Sequence, residues 1–236
     1  CWNKKSNRRI SALLLVNTYG FPTDTLKIKK ICSKFKIPVI EDCAESLGSF
    51  FRDNHCGINS DISTLSFNGN KIITTGGGGM ILTNNSKIAK QAKHLSTTAR
   101  ISHRWEFAHD QVGYNYRMPN LNAALGLAQF QSLQKFLKSK RLIAKKYQKW
   151  GEEFGFNFVK ENELSKSNYW LNCLILKSKK EKESFIKFTQ KNGIMTRPTW
   201  TPMHKLKIYK RSFKDNLKNT EWISDRLVNV PSSPIT

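Results

Sequence analysis

The sequence predicts an α/β protein, in which a mixed sheet with flanking helices forms a large domain and a smaller α+β unit follows it. In the first third of the 236 residues, short apolar runs alternate with amphipathic stretches of helical periodicity, a pattern typical of a sheet covered by helices. After about residue 150 the order changes to an apolar strand, a charged helix and an extended segment. We therefore place a large domain at residues 1–152 and a small domain at residues 153–236.

The first elements follow from their apolar runs. "SALLLVN" (residues 11–17) and "IPVIED" (residues 37–42) have short apolar stretches that predict strands buried on both faces. Between them, Asp24 can cap a helix through residues 25–35, which carries an apolar stripe. Two further strands and a helix are predicted at residues 62–67, 79–84 and 86–95.

A long helix is predicted from Pro119, because proline is tolerated in the first turn and leucines recur at helical spacing after it. We expect this helix to run, with a possible break, to about Trp150 and to be ended by Gly151 and Gly155. The small domain would then consist of a strand in "YWLNCLIL", a helix in "KEKESFIKFTQKN" and an extended segment in "GIMTRPTW".

The composition is strongly basic, with a formal net charge of +23. A charge of this size favours anionic partners, and a basic nucleic-acid-binding module is one alternative to an enzyme. However, the lysines are dispersed over the polar positions of amphipathic helices, where a solvated face explains them, and no nucleic-acid motif is present. Nucleic acid is therefore not the expected partner.

The cysteines and the apolar runs limit the cellular setting. Five scattered cysteines contain no CxxC pair, which disfavours a disulfide framework and a zinc site and fits a reducing cytosol. No apolar run approaches the roughly 20 residues that span a bilayer, and the first residues lack the apolar stretch of a signal peptide. We expect a cytoplasmic protein with no membrane partner and no bound metal.

Three residue types at the ends of neighbouring strands point to one cofactor. Asp42 ends a strand, where open α/β sheets bind ligands, although helix capping explains this residue equally well by itself. Ser66 ends the next strand, where a hydroxyl suits a phosphate, and Lys71 can form a Schiff base if a sheltered site lowers its pKa. The glycines at 76–79 permit a tight turn beside it. An acid, a hydroxyl and a lysine are three of the contacts that pyridoxal 5′-phosphate (PLP) needs.

Four motifs extend this pattern along the chain: "EDCAESLGS", "SFNGNKIITTGGGGM", "VGYNYRMPNLNAALG" and "GIMTRPTWTPMHK". In this order they resemble the motifs of the DegT/DnrJ-type sugar aminotransferases, and the resemblance covers nearly the whole chain. It implies a PLP-dependent transferase of fold type I. Such an enzyme would move an amino group, with glutamate as donor, to a nucleotide-linked 4-keto-6-deoxy sugar for surface glycans. The subgroup that it most resembles is that of legionaminic-acid pathways.

The resemblance also implies roles for individual residues in cofactor binding. Lys71 would hold PLP as a Schiff base and move the proton, and Asp42 would pair with the pyridinium nitrogen. Glu45 would lie near the cofactor's 3-hydroxyl, and Ser66 would bind its phosphate. Asn115 would reach the phosphate of the neighbouring subunit's cofactor, so the active site would require a homodimer.

Three further residues would line the substrate side: Arg197, Trp200 and His204. An arginine suits a diphosphate as a bidentate donor, and a tryptophan can cover a sugar or a base. For Arg197 and Trp200, structural roles remain equal alternatives. His109 is interpreted as structural, and Asn17 and Thr18 stand where relatives often carry a histidine.

The main departure from the family is at the start of the chain. Chains of the family begin well before the "ISALLLVN" strand, and we expect this chain to lack part of the cofactor site, so that its large domain is partial. An inactive truncated homologue is therefore a second alternative. A PLP-dependent sugar dehydratase is disfavoured, because relatives of that kind replace the lysine with histidine and Lys71 is present.

Overall fold

The structure, a computed structural model, describes residues 1–235. The helices are α1 (Thr25–Lys34), α2 (Ser86–Ser96), α3 (Asn120–Gln131), α4 (Leu133–Phe154), α5 (Lys179–Lys191) and α6 (Lys218–Ser224). The strands are β1 (Trp2–Asn3), β2 (Arg8–Arg9), β3 (Leu13–Val16), β4 (Val39–Asp42), β5 (Phe50–Phe51), β6 (Asn54–His55), β7 (Ile62–Ser66), β8 (Gly79–Leu82), β9 (Asn157–Phe158), β10 (Ser165–Lys166), β11 (Asn172–Ile175), β12 (Arg197–Pro198) and β13 (Leu227–Val230).

The main sheet has the strand order β3-β4-β7-β8. The first three strands are parallel and β8 is antiparallel to β7, so the predicted mixed sheet is confirmed. In the register, Val16 lies opposite Asp42, and Asp42 lies opposite Thr64. The carboxyl ends of β3, β4 and β7 therefore meet at one edge of the sheet, which is where such sheets bind ligands.

The prediction that the first strand is buried on both faces is wrong. Leu14 is 64% exposed and Val16 is 48% exposed, because these two residues share one face of β3 and no described element covers that face. The next strand fits the prediction better, since Val39 and Glu41 are fully buried and Asp42 is partly buried on the opposite face.

The helix ends are set by side-chain caps and by a glycine. The side chain of Asp24 accepts a hydrogen bond from the Lys27 N–H at 2.9 Å, as predicted. The long helix is broken at Ser132, which separates α3 from α4. Gly151 does not end α4, because it lies inside the helix and its carbonyl accepts the Phe156 N–H at 2.8 Å. The helix ends at Gly155, whose φ of 75° is left-handed.

The second half of the chain contains an antiparallel sheet in the order β12-β13-β11-β9, and β10 joins β5 and β6 in a small sheet. Side chains from both sides of the predicted boundary share one hydrophobic cluster, which includes Tyr19 and Leu137 on one side and Trp170 and Leu227 on the other. Across residues 1–235, no helix is long and apolar enough to cross a bilayer.

Candidate active site

Lys71 lies in the loop that follows β7, in a partly enclosed position. Its side chain is 13% exposed, and its Nζ lies 3.9 Å from Glu45 Oε1 and 4.2 Å from the centre of the Trp170 ring. Its backbone N–H donates to the Asn68 carbonyl at 3.0 Å, which tightens the loop. The structure thus encloses the lysine between a carboxylate and an aromatic face.

Burial and the neighbouring carboxylates shift the pKa of Lys71 in opposite directions. Burial lowers the pKa of Lys71, whereas the carboxylates of Glu45 and Asp42 raise it. Burial raises the pKa of Glu45. Two neighbours lower it: the Tyr19 N–H, which donates to Glu45 Oε2 at 2.6 Å, and the charge of Lys71. A lysine whose pKa falls carries a larger fraction of the neutral, nucleophilic amine at a given pH.

Asp42 ends β4, and its Oδ1 accepts the Ala44 N–H at 2.9 Å. Among the described residues no helix begins after Asp42 before α2 at Ser86, so this bond closes a local turn and the helix-capping alternative is wrong. The same carboxylate also lies close enough to Lys71 and Glu45 to influence the pKa of both. The described contacts therefore combine a local turn with a place in the lysine cluster.

Ser66 ends β7, and its Oγ accepts the Asn68 N–H in a long hydrogen bond of 3.4 Å. The glycine run that follows makes the predicted return into β8, with positive φ values at Gly76 (79°) and Gly78 (105°). A side chain at Gly79 would place its Cβ 2.4 Å from the Leu65 carbonyl oxygen, so only glycine permits this close approach of the two strands.

Three aromatic rings lie nearly parallel to one another, and one of them, Trp170, contacts Lys71. Tyr19 and Trp200 stack at 5.1 Å between ring centroids, and Trp170 lies 6.4 Å from Tyr19 and 6.2 Å from Trp200. The Tyr19 hydroxyl and Thr199 Oγ1 form a hydrogen bond of 2.5 Å, which ties the segment before Trp200 to the loop after β3. Of the three, only Trp200 was predicted as a site residue.

The other predicted residues lie apart from this cluster in their described contacts. Arg197 is exposed on β12 and lines, together with Trp200, an open depression of about 730 Å³. His204 Nε2 lies 2.9 Å from Glu221 Oε1, and this pairing lowers the pKa of Glu221. Asn115 is exposed and forms an isolated bridge with Thr97. The single chain therefore brings Asp42 and Glu45 to Lys71, leaves Ser66 at the end of the neighbouring strand, and does not bring Asn115, Arg197 or His204 to the lysine.

Asn17, which stands where relatives often carry a histidine, is held in the interior by hydrogen bonds to its neighbours. It is buried, its Nδ2 donates to Glu41 Oε1 at 2.7 Å, and its Oδ1 accepts the Thr23 N–H at 3.0 Å. Glu41 faces away from Asp42, as strand alternation predicts. His109 Nδ1 lies 2.7 Å from the Thr98 carbonyl oxygen, in line with its structural interpretation.

A polar network behind the site joins distant parts of the chain. The Nδ2 of buried Asn168 donates to the carbonyls of Glu45 and Leu47, at 2.8 Å each, and its Oδ1 accepts the Trp170 N–H at 2.8 Å. The hydroxyl of Ser49 donates to the Gly20 carbonyl at 2.7 Å. Sequence reasoning missed Asn168 and Trp170, because neither has a local pattern that connects it to strands about a hundred residues earlier.

The side chains present fit PLP. A sheltered amine, a strand-end carboxylate and a strand-end hydroxyl match the cofactor's aldehyde, ring nitrogen and phosphate in chemical type. The glycine turn permits close backbone approach next to the lysine. Lys71, Asp42 and Ser66 are thus the residues of this chain that could hold the cofactor.

Comparison with known proteins identifies relatives over the whole chain. The model of the "DegT/DnrJ/EryC1/StrS aminotransferase family" matches residues 3–236. The GDP-perosamine synthase of Escherichia coli O157:H7 is 35% identical over 231 residues, which are 98% of this chain and 63% of that protein. The GDP-perosamine synthase of Vibrio cholerae is 34% identical over 234 residues, which are 98% of this chain and 64% of that protein. The chain thus spans less than two thirds of the length of these relatives.

A solved structure shares the fold. Spr1654 of Streptococcus pneumoniae, in its PLP form, is similar with a TM-score of 0.84 at 20% identity, over 94% of this chain and 63% of that one. At this level of identity the similarity shows the fold alone. The predicted α/β fold is confirmed.

Proposed function

Because the chain belongs to the DegT/DnrJ/EryC1/StrS aminotransferase family, we propose that it is the Lys71-containing part of a PLP-dependent sugar aminotransferase. The observation that carries the proposal is the position of Lys71, whose amine is sheltered beside Glu45 and close to Asp42 at the carboxyl edge of the sheet. The reaction would move the amino group of a donor, for which glutamate is the candidate, to the keto carbon of a nucleotide-linked sugar. The donor would become the keto acid.

The bound cofactor supplies an electron sink for the carbon that loses or gains a proton. Lys71 would bind the cofactor's aldehyde carbon and, when released, would carry the proton between the reacting carbons. Asp42 would keep the ring nitrogen protonated through its negative charge. Glu45, held by the Tyr19 N–H, would keep the lysine oriented and face the cofactor's 3-hydroxyl. Ser66 would donate its hydroxyl to the phosphate.

The substrate that we propose is a GDP-linked 4-keto-6-deoxy sugar. The names of the two curated relatives support the GDP group and an amino-sugar product, and they favour this substrate over one of the legionaminic-acid type. Arg197 and Trp200 line one open depression next to the aromatic stack, which suits a diphosphate and a planar or sugar face. His204 would contribute from the same segment. A role in surface glycans and a cytoplasmic location complete the proposal.

We also propose that the working enzyme is a homodimer. Asn115 is exposed and lies outside the Lys71 cluster, which suits a residue that contacts the cofactor of a second subunit. The whole enzyme, of the length of the curated relatives, would then contain two sites that share residues.

Cofactor labelling tests the proposal directly. PLP is added to the chain, the product is reduced with borohydride, and the labelled peptide is mapped. The label should appear on Lys71, should be lost in Lys71→Ala, and should persist in Lys187→Ala, which removes an exposed lysine on α5. The assay for the substrate uses glutamate and a GDP-linked 4-keto-6-deoxy sugar. A label distributed over surface lysines, with no preference for Lys71, would contradict the proposed function.

A further inference from the structure

Lys140 on α4 is buried, and no carboxylate side chain among residues 1–235 forms an ion pair with it. Lys140 is 4% exposed. Its Nζ donates to the Trp170 carbonyl at 3.0 Å and to the Ser232 carbonyl at 2.5 Å. Burial lowers its pKa to about 8. Charged side chains are costly in the interior unless they are well paired, so a lysine held there by backbone carbonyls indicates a specific structural purpose.

Trp170 is attached to its surroundings at three points. Its carbonyl accepts from Lys140, its N–H donates to Asn168 Oδ1 at 2.8 Å, and its Nε1–H donates to the Asn70 carbonyl at 2.7 Å. Asn70 is the residue directly before Lys71, so the indole contacts both the backbone and the side chain of the lysine loop. A ring fixed in this way has little freedom to move away from the ammonium.

The face of this ring is directed at Lys71. The Nζ lies 4.2 Å from the ring centre, within the range in which an ammonium is attracted to the face of a tryptophan. The charged or titratable groups that act on Lys71 are Glu45 and Asp42, and both lie on the β4 side of the site. The indole therefore contacts the amine from the second half of the chain, whereas the two carboxylates belong to β4 and the loop after it.

We propose that Trp170 is a positioning residue for Lys71, whose indole face holds the ammonium next to Glu45, and that Lys140 keeps the Trp170 backbone in place from behind. The role of this arrangement in amino transfer rests on the proposed function. The positioning itself rests on the described contacts alone. It makes α4, through one lysine, part of the support of the site.

The test measures the protonation of Lys71 in the chain without cofactor. Lysines are reductively methylated with isotope label, and the Lys71 signal, identified by its loss in Lys71→Arg, is followed by NMR as pH changes. Trp170→Leu keeps an apolar side chain but removes the aromatic face, so the pKa of Lys71 should fall, with about a threefold change in its protonation constant. Trp170→Phe retains a weaker face and should restore part of the change.

Lys140→Met keeps an unbranched chain without the ammonium, and it should shift the Lys71 titration in the same direction as Trp170→Leu. Trp222→Leu is the matched control, because this half-exposed tryptophan lies against Arg226 and should leave the Lys71 titration unchanged. If Trp170→Leu does not fold, Trp170→Phe carries the test, with a smaller fall expected. An unchanged or raised pKa of Lys71 in a folded Trp170 variant would overturn the proposal.

The outcome is separable from that of the proposed function. A shifted titration together with PLP label spread over surface lysines, with no preference for Lys71, would support the positioning role and contradict the proposed function. A label on Lys71 in wild type, with a titration that does not depend on Trp170, would support the aminotransferase and reject the positioning role.

Discussion

Asn168→Ala should reduce the free energy of unfolding more than any other single change in the polar network behind the site. Asn168 is fully buried and makes three hydrogen bonds with backbone groups of Glu45, Leu47 and Trp170, each 2.8 Å long. Alanine removes all three partners at once. Two carbonyls and one N–H would then be buried without a partner.

The magnitude follows from these three groups. A buried polar group left without its partner costs about 1–3 kcal/mol. Such costs are not additive within one network, and the surrounding backbone relaxes, so we expect a total loss of roughly 3–5 kcal/mol. That loss is a large part of the stability of an ordinary domain, which is about 5–15 kcal/mol.

The assay is urea unfolding followed by tryptophan fluorescence. The free energies of unfolding are compared between variants whose m-values agree. Asn216→Ala is the control, because this exposed asparagine makes only a local bond to the Lys218 N–H. Its replacement should cost about 0.5 kcal/mol or less, as is usual for surface substitutions. If Asn168→Ala cost no more than Asn216→Ala, the network would not hold the Glu45 and Trp170 segments together.

Gly20→Ala should lower the melting temperature much more than Gly155→Ala. Both glycines have positive φ values, of 87° and 75°, but only at Gly20 would the new Cβ meet another group, Asn168 Oδ1 at 1.9 Å; equal losses in thermal unfolding would contradict this. Lys140 has a pKa of about 8 in the folded chain and 10.5 as its ordinary value, so the unfolded state binds more protons between these values and stability from this residue rises with pH there. Urea unfolding of wild type and Lys140→Met between about pH 7 and pH 10 should show a steeper rise of stability with pH in wild type than in the variant, and parallel curves would refute it. Glu45→Gln removes a charge that raises the pKa of Lys71, so the pH midpoint of PLP labelling at Lys71 should move down, and a move upward would be inconsistent with the geometry.

The regular elements of the first half of the chain could be predicted because their signals are local. The helix after Asp24 begins at the predicted cap, and the strand predicted at residues 62–67 is found at Ile62–Ser66. The two-residue strands β5, β6 and β10 carry no periodicity of their own and were missed. The exposure of Leu14 also could not be predicted, since an apolar run does not state which neighbours cover it.

The residues of the candidate site also fall into two groups: those that strand ends predict and those that only packing brings to the site. Asp42 ends β4 and Lys71 follows the adjacent parallel strand β7, so their proximity could be inferred from strand order. Tyr19 follows a strand end in the same sheet, and that position could have indicated it. Trp170 reaches Lys71 only through the packing of the second half of the chain, which no spacing in the sequence predicts. Roles for Arg197 and His204 stay predictions.

The two enclosed lysines show that a lowered pKa alone does not identify the reactive one. Lys140 is more deeply buried than Lys71, and its pKa falls to about 8, so titration alone would select it as the nucleophile. However, its Nζ is occupied by two backbone carbonyls, and it lies on α4 rather than at the strand ends. The amine of Lys71 keeps some exposure and lies beside carboxylates that can orient a cofactor. PLP should therefore label Lys71 in preference to Lys140, and a label on Lys140 would show that burial rather than strand-end geometry selects the reactive amine.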